Sequence, residues 1–295
     1  MSGAILHTLL GRDAYALLSN PQARSAADSE WNAYLWGLQG GDLYYAPSRL
    51  PGYTLNKLGL SFHLLKTAET FSAMCEYLRH IRIERPGEYA AMRAYVMGYL
   101  GHYALDSQIH SYVFPMEREY RRAHPDYDEA REGGLHGRLE GGIEWILFHC
   151  RKRPGETMKD VTAPYSMTEG FKEALRRFYL VLSDSLFGID ASAEPIELCI
   201  DCCFQGFQYG PKEDLFIEDQ MNFLHRKWEV YDSPGLFLCS SAPELYENAM
   251  RQAAGLMDEL IACLEGADAF RPQIERNCSY WKYEDPTWFR EMYQF

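Results

Sequence analysis

The chain has 295 residues, of which 47% are hydrophobic and 14% aromatic, so it can bury a large core. Its formal net charge is −13 and it has no long run of lysine or arginine, so nucleic acid is disfavoured as a partner. The N-terminal residues lack a secretory signal and no apolar run approaches the roughly 20 residues that span a membrane, so we expect a cytoplasmic protein without stable membrane insertion.

Apolar residues recur at helical spacing along most of the chain and strand-like alternation is scarce, which predicts an all-α protein. We expect one compact multi-helix domain over residues 1–295. The predicted helices span 3–18, 64–80, 87–112, 135–150, 168–187, 194–208, 213–228 and 242–265. Breaks are expected at Gly40-Gly41, Pro47 to Gly52, Arg85 to Gly87, Pro115 and Arg153 to Gly155. Ser166 or Thr168, and Ser241, should cap the helices that follow them.

Three potential metal ligands recur at every fourth residue within the predicted helix 87–112, namely His102, Asp106 and His110. A step of four residues rotates only roughly 40° around a helix, so these side chains share one face. The two histidines are roughly 12 Å apart along the axis, whereas metal–ligand bonds are about 2 Å long. We therefore expect two or more ions along this helix, with Asp106 bridging between them.

Five more candidate ligands occur in the first half of the chain. His136 and Glu140 stand at i and i+4, which suits two ligands on one helical face. Asp42 follows two glycines in a turn that can project a carboxylate into a site. His7 lies in the first turns of the first helix, and we expect His63 to open an apolar helix.

Each of these patterns alone is typical of an exposed helix, where such a pair is worth a few tenths of a kcal/mol. Together they number eight, all within residues 1–150 and several in apolar surroundings. Burying so many polar groups without partners would be costly, so the set favours a metal centre over satisfied core histidines. Residues 151–295 are expected to complete the helical bundle.

The order of these motifs resembles the zinc-dependent phospholipase C family over roughly residues 4–150. A weaker likeness continues at 222–228 and 277–280. The resemblance implies a helical bundle of the phospholipase C and P1-nuclease type, with zinc ions in a cleft. The motifs that carry it are Trp36-Gly-Leu-Gln-Gly-Gly-Asp42-Leu-Tyr-Tyr, Asn56-Lys-Leu-Gly…His63, Gly98-Tyr-Leu-Gly-His102-Tyr-Ala-Leu-Asp106-Ser-Gln-Ile-His110 and His136-x-x-x-Glu140.

Carried over position by position, the resemblance implies a ligand set for three zinc ions. It assigns one ion to Asp42, His63, His102 and Asp106, a second to His110, His136 and Glu140, and a third to His7 with bridging Asp106. Secreted members complete the third ion with an N-terminal tryptophan where this chain has Met-Ser-Gly, so we expect two or three ions. Imidazole and carboxylate ligands also accept other divalent metals.

For function, the resemblance implies hydrolysis of a phosphate ester. The expected activity is that of a phospholipase C-like phosphodiesterase (EC 3.1.4 type) that uses a zinc-activated water, with Asp42 as general base. Its substrate would be a phospholipid or a small-molecule phosphate ester. Two alternatives stay open: a non-catalytic metal-binding helical protein, such as a sensor or scaffold, and a related zinc-dependent nuclease. The sequence leaves the oligomeric state open.

Several other residues are expected to lie outside the centre. Glu144 is interpreted as a solvated surface carboxylate rather than a group that orients a ligand imidazole. Residues 116–134, rich in charged side chains, are predicted to form a solvated loop or mobile lid. The cysteines at 199, 202 and 203 are interpreted as structural thiols. A role in the core is also favoured for Trp36, Tyr44, Tyr45 and Tyr103, and no metal role for His80, His124, His149 and His225.

Overall fold

The computed structural model describes residues 3–47, 55–132, 134–191, 196–209, 217–230, 233–266, 268–274, 276 and 278. This part of the chain is mostly helical, as predicted. The helices before residue 152 are α1 (Ala4–Leu17), α2 (Pro21–Ser29), α3 (Trp31–Gly37), a 3-10 helix (Gly40–Tyr44), α4 (Asn56–Leu64), α5 (Thr67–Glu84), α6 (Pro86–Ala123), α7 (Glu129–Glu132) and α8 (Leu135–Arg151). Those that follow are α9 (Met158–Thr162), α10 (Glu169–Phe187), α11 (Ile196–Tyr209) and α12 (Ala242–Glu265).

A small antiparallel sheet adds to the helices. It consists of β1 (Trp228–Glu229) and β2 (Phe237–Leu238), with Trp228 opposite Leu238 and Glu229 opposite Phe237. The structure contradicts the prediction of a helix over 213–228, of which residues 213–216 lie outside the described ones. The backbone is left-handed at Asp219, Asn222 and His225, with φ of 52°, 52° and 50°, and a helix cannot continue through such residues.

Local signals explain where several helices begin and end. The hydroxyl of Thr168 accepts a hydrogen bond from the amide of Phe171 and caps α10, as predicted. Ser241 and Glu244 form a reciprocal capping box at the start of α12, which confirms the second predicted cap. The expected break near residue 86 is also confirmed, because α5 ends at Glu84 and α6 begins at Pro86.

Helix α6, 38 residues long, is the central element and packs against α1, α3, α5, α8, α10 and α12. It crosses α3 in backbone contact. A Cβ added at Gly37 would lie 1.9 Å from the carbonyl oxygen of Tyr95, and one at Gly98 would lie 2.1 Å from that of Tyr34. Only glycine permits this approach at either position. The contact fixes where α6 lies against α3, and with it the position of the helix face that carries the candidate ligands.

The structure contradicts the break predicted at Pro115 and, except at the non-helical residues 124–128 and 134, the loop predicted over 116–134. Helix α6 continues through Pro115 to Ala123, and α7 follows. Pro115 is buried, and its neighbours Val113 and Met116 belong to the core. The free energy gained by burying this stretch offsets the loss of the backbone hydrogen bond that proline cannot donate.

The predicted helix 64–80 corresponds to α5, which begins at Thr67, and a separate helix, α4, ends before it at Leu64. Lys66 has φ 48°, which interrupts the helix. His63 therefore lies in the last turn of α4, not at the opening of a helix as expected. Of the break predicted over Pro47 to Gly52, only residue 47 is described. Among the described helices, none is both long and apolar enough to cross a membrane.

Candidate metal centre

Three groups of His, Asp and Glu side chains among the described residues could each hold a metal ion. In each group one ligand atom per residue lies within 4.8 Å of the others. The structure brings all eight residues singled out from the sequence into these groups. They are the His7 group (His7, His102, Asp106), the Asp42 group (Asp42, His63, His102) and the Glu140 group (His110, His136, Glu140).

The carboxylate of Asp106 lies between the first two groups. Its Oδ1 is 3.2 Å from Nε2 of His7, on α1. Its Oδ2 is 3.3 Å from Nε2 of His102 and 3.5 Å from Nε2 of His63. The two oxygens thus face different imidazoles, which is the arrangement that a carboxylate shared by two ions requires.

The Asp42 group is assembled from the 3-10 helix, α4 and α6. Nε2 of His63 lies 3.2 Å from Oδ1 of Asp42 and 3.1 Å from Nε2 of His102. On the other side of its ring, His63 donates from Nδ1 to the carbonyl of Gly59 at 2.6 Å. This hydrogen bond leaves Nε2 as the ring nitrogen that faces the group.

Two glycines make room for this group. At Gly40, where φ is 48°, an added Cβ would lie 2.2 Å from Cδ2 of His102. At Gly41 it would lie 2.8 Å from Cε1 of His63. The tight turn expected before Asp42 is therefore present, and its glycines allow the backbone to contact both imidazoles.

The Glu140 group joins α6 to α8. Oε1 of Glu140 lies 2.7 Å from Nε2 of His110 and 3.2 Å from Nε2 of His136. Nδ1 of His110 donates to the carbonyl of Cys278 at 2.7 Å, and the amide of Cys278 donates to the carbonyl of His63. Residue 278 thus ties the Glu140 group to α4, and it is the one described residue of the weakly matching segment 277–280.

Glu117 is a residue of the site that the sequence interpretation missed. Its Oε2 accepts a hydrogen bond from Nδ1 of His136 at 3.0 Å. Burial favours its neutral form, but hydrogen bonds from His136 and Arg121 outweigh this and lower the pKa of Glu117. It lies seven residues, or two turns, beyond His110 on the same face of α6. That spacing was the available signal, and the expected break at Pro115 concealed it.

The structure also corrects the interpretation of Glu144. Its side chain is buried, with 2% of the residue exposed, and it is no surface carboxylate. Oε1 accepts hydrogen bonds from the amides of Ile5 and Leu6 at 2.8 and 2.9 Å. Glu144 therefore satisfies the first turn of α1, the helix that carries His7.

Burial and charge give the two histidines of the Asp42 group opposite protonation. Burial disfavours the charged form of His63, but hydrogen bonds to Asp106 and Asp42 outweigh it and raise the pKa of His63 to about 10. Burial lowers the pKa of His102 to about 4. At neutral pH His63 holds a proton that a cation would have to displace, and His102 offers a lone pair.

In the Glu140 group, too, burial and neighbouring charges shift the pKa values in opposite directions. Burial opposes the charged form of His136, but the carboxylate of Glu140 and the hydrogen bond to Glu117 raise the pKa of His136 to about 10. Burial would keep Glu140 neutral, yet its interactions with His136 and His110 hold its pKa well below the ordinary value. A carboxylate and a protonated imidazole therefore face each other at neutral pH.

The donor set and its spacing fit metal ions. Ligand atoms bound about 2.1 Å from a tetrahedral ion lie roughly 3.4 Å apart. The ligand atoms that face one another here are separated by 2.7 to 3.5 Å. Imidazole nitrogen and carboxylate oxygen suit zinc, iron and manganese. A buried carboxylate is costly without positive charge beside it, and a metal ion supplies such charge.

The remaining candidates lie elsewhere. Trp36, Tyr44 and Tyr103 are buried in the core, as favoured from the sequence. Tyr45 instead lies half-buried beside the site, with its ring centroid 5.3 Å from that of His63. Phe114, also half-buried, lies 4.8 Å from the ring of His136. Cys199 and Cys203 are buried in the core, Cys202 is half-buried, and His80, His124, His149 and His225 are exposed and belong to none of the three groups.

Comparison of the chain with protein-family models, curated proteins and solved structures gives no match. The resemblance to the zinc-dependent phospholipases C therefore rests on the motifs alone. The described structure establishes a mostly helical protein with buried histidine and carboxylate groups that could bind metal.

Proposed function

We propose that this protein is a metal-dependent hydrolase of phosphate esters, of the phospholipase C-like phosphodiesterase type, with zinc as its metal. The observation that carries the proposal is the position of Asp106, whose two oxygens face imidazoles of two adjacent groups. Adjacent ions that share a carboxylate are a recurring arrangement in enzymes that displace groups at phosphorus. A site that binds a single structural ion needs no such bridge.

The resemblance to the zinc-dependent phospholipases C implies that these ligands hold three ions. Asp42, His63 and His102 would hold one ion with Asp106, and His7 would share Asp106 with a second. The Glu140 group would hold the third. When bound, zinc supplies positive charge beside the phosphoryl oxygens and lowers the pKa of a water toward about 7.

Asp42 is the residue that we propose as the proton acceptor. Its side chain is 18% exposed, more than the 11% of Asp106, so water and substrate can reach it. Burial favours its neutral form, but the hydrogen bond to His63 outweighs this and lowers the pKa of Asp42. It is therefore ionised at neutral pH and can take a proton from an attacking water.

The substrate class follows from charge and from the aromatic side chains. A net charge of −13 disfavours a long polyanion such as nucleic acid. Tyr45 and Phe114 are half-buried beside the Asp42 and Glu140 groups and offer apolar surface there. A phospholipid, or a small phosphate ester with an apolar part, fits both features.

One paired measurement tests the proposal. Metal content per chain is determined, and hydrolysis of bis(p-nitrophenyl) phosphate and of phosphatidylcholine is assayed with and without chelator. We expect two or three zinc ions and chelator-sensitive turnover. Asp42→Asn should abolish turnover, whereas Asp184→Asn, at an exposed position on α10, should not.

The same assay separates the two alternatives. Bound metal without turnover of any phosphate ester, single-stranded nucleic acid included, would support a non-catalytic metal-binding protein and refute the hydrolase. Cleavage of single-stranded nucleic acid without hydrolysis of the phospholipid would support the nuclease. Full activity of Asp42→Asn would show that Asp42 is not the base.

A further inference from the structure

We infer that Glu117 is a positioning residue that orients His136 and sets the metal affinity of the Glu140 group alone. The inference rests on the metal binding in the proposed function, and it concerns a side chain that lies in none of the three ligand groups. It follows from the contacts of Glu117 and from the way in which the other ligand imidazoles are held.

Both oxygens of Glu117 are engaged, each by a different partner. Oε2 accepts from Nδ1 of His136 at 3.0 Å. Oε1 accepts from Nη2 of Arg121 at 2.8 Å and from its Nε at 3.1 Å. Arg121 also pairs with Glu129 of α7, so the carboxylate is held between α6 and the segment that leads into α8. Its orientation toward His136 is therefore fixed on both sides.

This contact determines which nitrogen of His136 can bind a metal. With the Nδ1 proton donated to Glu117, Nε2, 3.2 Å from Glu140, is the nitrogen that binds a metal once its own proton is displaced. The negative charge of Glu117 also makes the imidazole a stronger ligand. Elsewhere in the centre, His63 and His110 donate to backbone carbonyls, at Gly59 and Cys278. A backbone acceptor carries no net charge and is not removed by substituting a side chain, so of these three imidazoles only His136 has a replaceable acceptor on Nδ1.

The test measures zinc affinity by competition with a chromophoric chelator. Glu117→Ala should lower the affinity for one zinc ion per chain about tenfold to a hundredfold, which is the range for loss of a hydrogen-bond partner of a ligand imidazole. Glu117→Gln keeps an acceptor without the charge and should lower the affinity for the same ion less. The other ions should keep their affinity. Glu119→Gln is the matched control, because Glu119 is exposed on the same helix two residues further along.

A double substitution separates positioning from a general structural effect. His136→Ala removes the ligand through which Glu117 acts, so adding Glu117→Ala should cause no further loss of affinity. Additive losses, equal weakening of every ion, or native affinity in Glu117→Ala would each overturn the inference. If Glu117→Ala does not fold, the same cycle is run with Glu117→Gln.

These outcomes do not depend on turnover. If the chain binds metal with the expected dependence on Glu117 but hydrolyses no phosphate ester, the proposed function fails and the positioning role stands. If turnover is present and Glu117 has no effect on affinity, the positioning role fails and the proposed function stands.

Discussion

Oε1 of Glu144 lies 2.9 Å from the backbone nitrogen of Leu6, so a side chain of α8 caps the first turn of α1. Glu144 stands one helical turn beyond Glu140 on α8. One face of α8 therefore supplies two members of the Glu140 group, His136 and Glu140, and also holds the helix that presents His7 to Asp106.

We expect Glu144→Ala to lower both the stability and the metal affinity of the His7 group. The two amides that it satisfies are buried, and leaving buried donors without an acceptor costs about 1–3 kcal/mol. Glu144→Gln keeps a carbonyl acceptor and should lose less. Urea unfolding of the metal-free protein gives the stability, and chelator competition gives the affinity. Glu259→Gln, an exposed position on α12, is the control. Native stability of Glu144→Ala would show that the cap contributes nothing.

The ligands on α6 were predictable from sequence because their relation is local. A step of four residues places His102, Asp106 and His110 on one face whatever the rest of the chain does. The same reasoning extends to Glu117, but it failed there because Pro115 was interpreted as a break. A local rule about proline could not account for the burial around residue 115, which depends on elements distant in sequence.

Other parts of the site depend on contacts that the sequence does not reveal. Glu144 and Leu6 are 138 residues apart, so nothing in the pattern of α8 predicts what its carboxylate caps. The capping residues of α10 and α12 were predicted correctly because a cap and its helix are adjacent. The helix predicted over 213–228 from its apolar spacing is wrong in its described part, where Asn222 donates to the carbonyls of Cys239 and Ser240 and holds a turn.

Gly40→Ala should disrupt the Asp42 group. The added Cβ would lie 2.2 Å from the ring of His102, and φ at this position is 48°, so both a clash and backbone strain result. Gly188→Ala is the matched control, because φ there is 65° but no atom lies within 4 Å of the added Cβ. We expect the free energy of unfolding of both variants to fall by about 1–2 kcal/mol, because alanine is strained in the left-handed conformation. Only Gly40→Ala should also lose zinc, as measured by metal content after dialysis. If both variants retain the same zinc content, the added Cβ of Gly40→Ala does not displace His102.

Metal binding should release protons and strengthen as pH rises. The pKa values of His63 and His136 are raised to about 10, so each imidazole is protonated at pH 6 to 8 and must lose its proton to bind. One displaced proton per ion makes the apparent affinity rise about tenfold per pH unit in this range. Calorimetry in buffers of different ionisation enthalpy counts the protons. His124→Gln removes an exposed imidazole outside the groups and should leave the count unchanged. An affinity independent of pH would contradict the protonation of both histidines.

Asp106→Asn should remove two ions, whereas Asp42→Asn should remove at most one. An amide cannot present two anionic oxygens, and the oxygens of Asp106 face His7 on one side and His102 with His63 on the other. The Glu140 group does not include Asp106 and should keep its ion in both variants. Metal content per chain after dialysis, by mass spectrometry of the native protein, gives the count directly. Asp184→Asn should keep the native number. Loss of a single ion from Asp106→Asn would mean that the carboxylate serves one metal and bridges none, and the trinuclear arrangement would then be wrong.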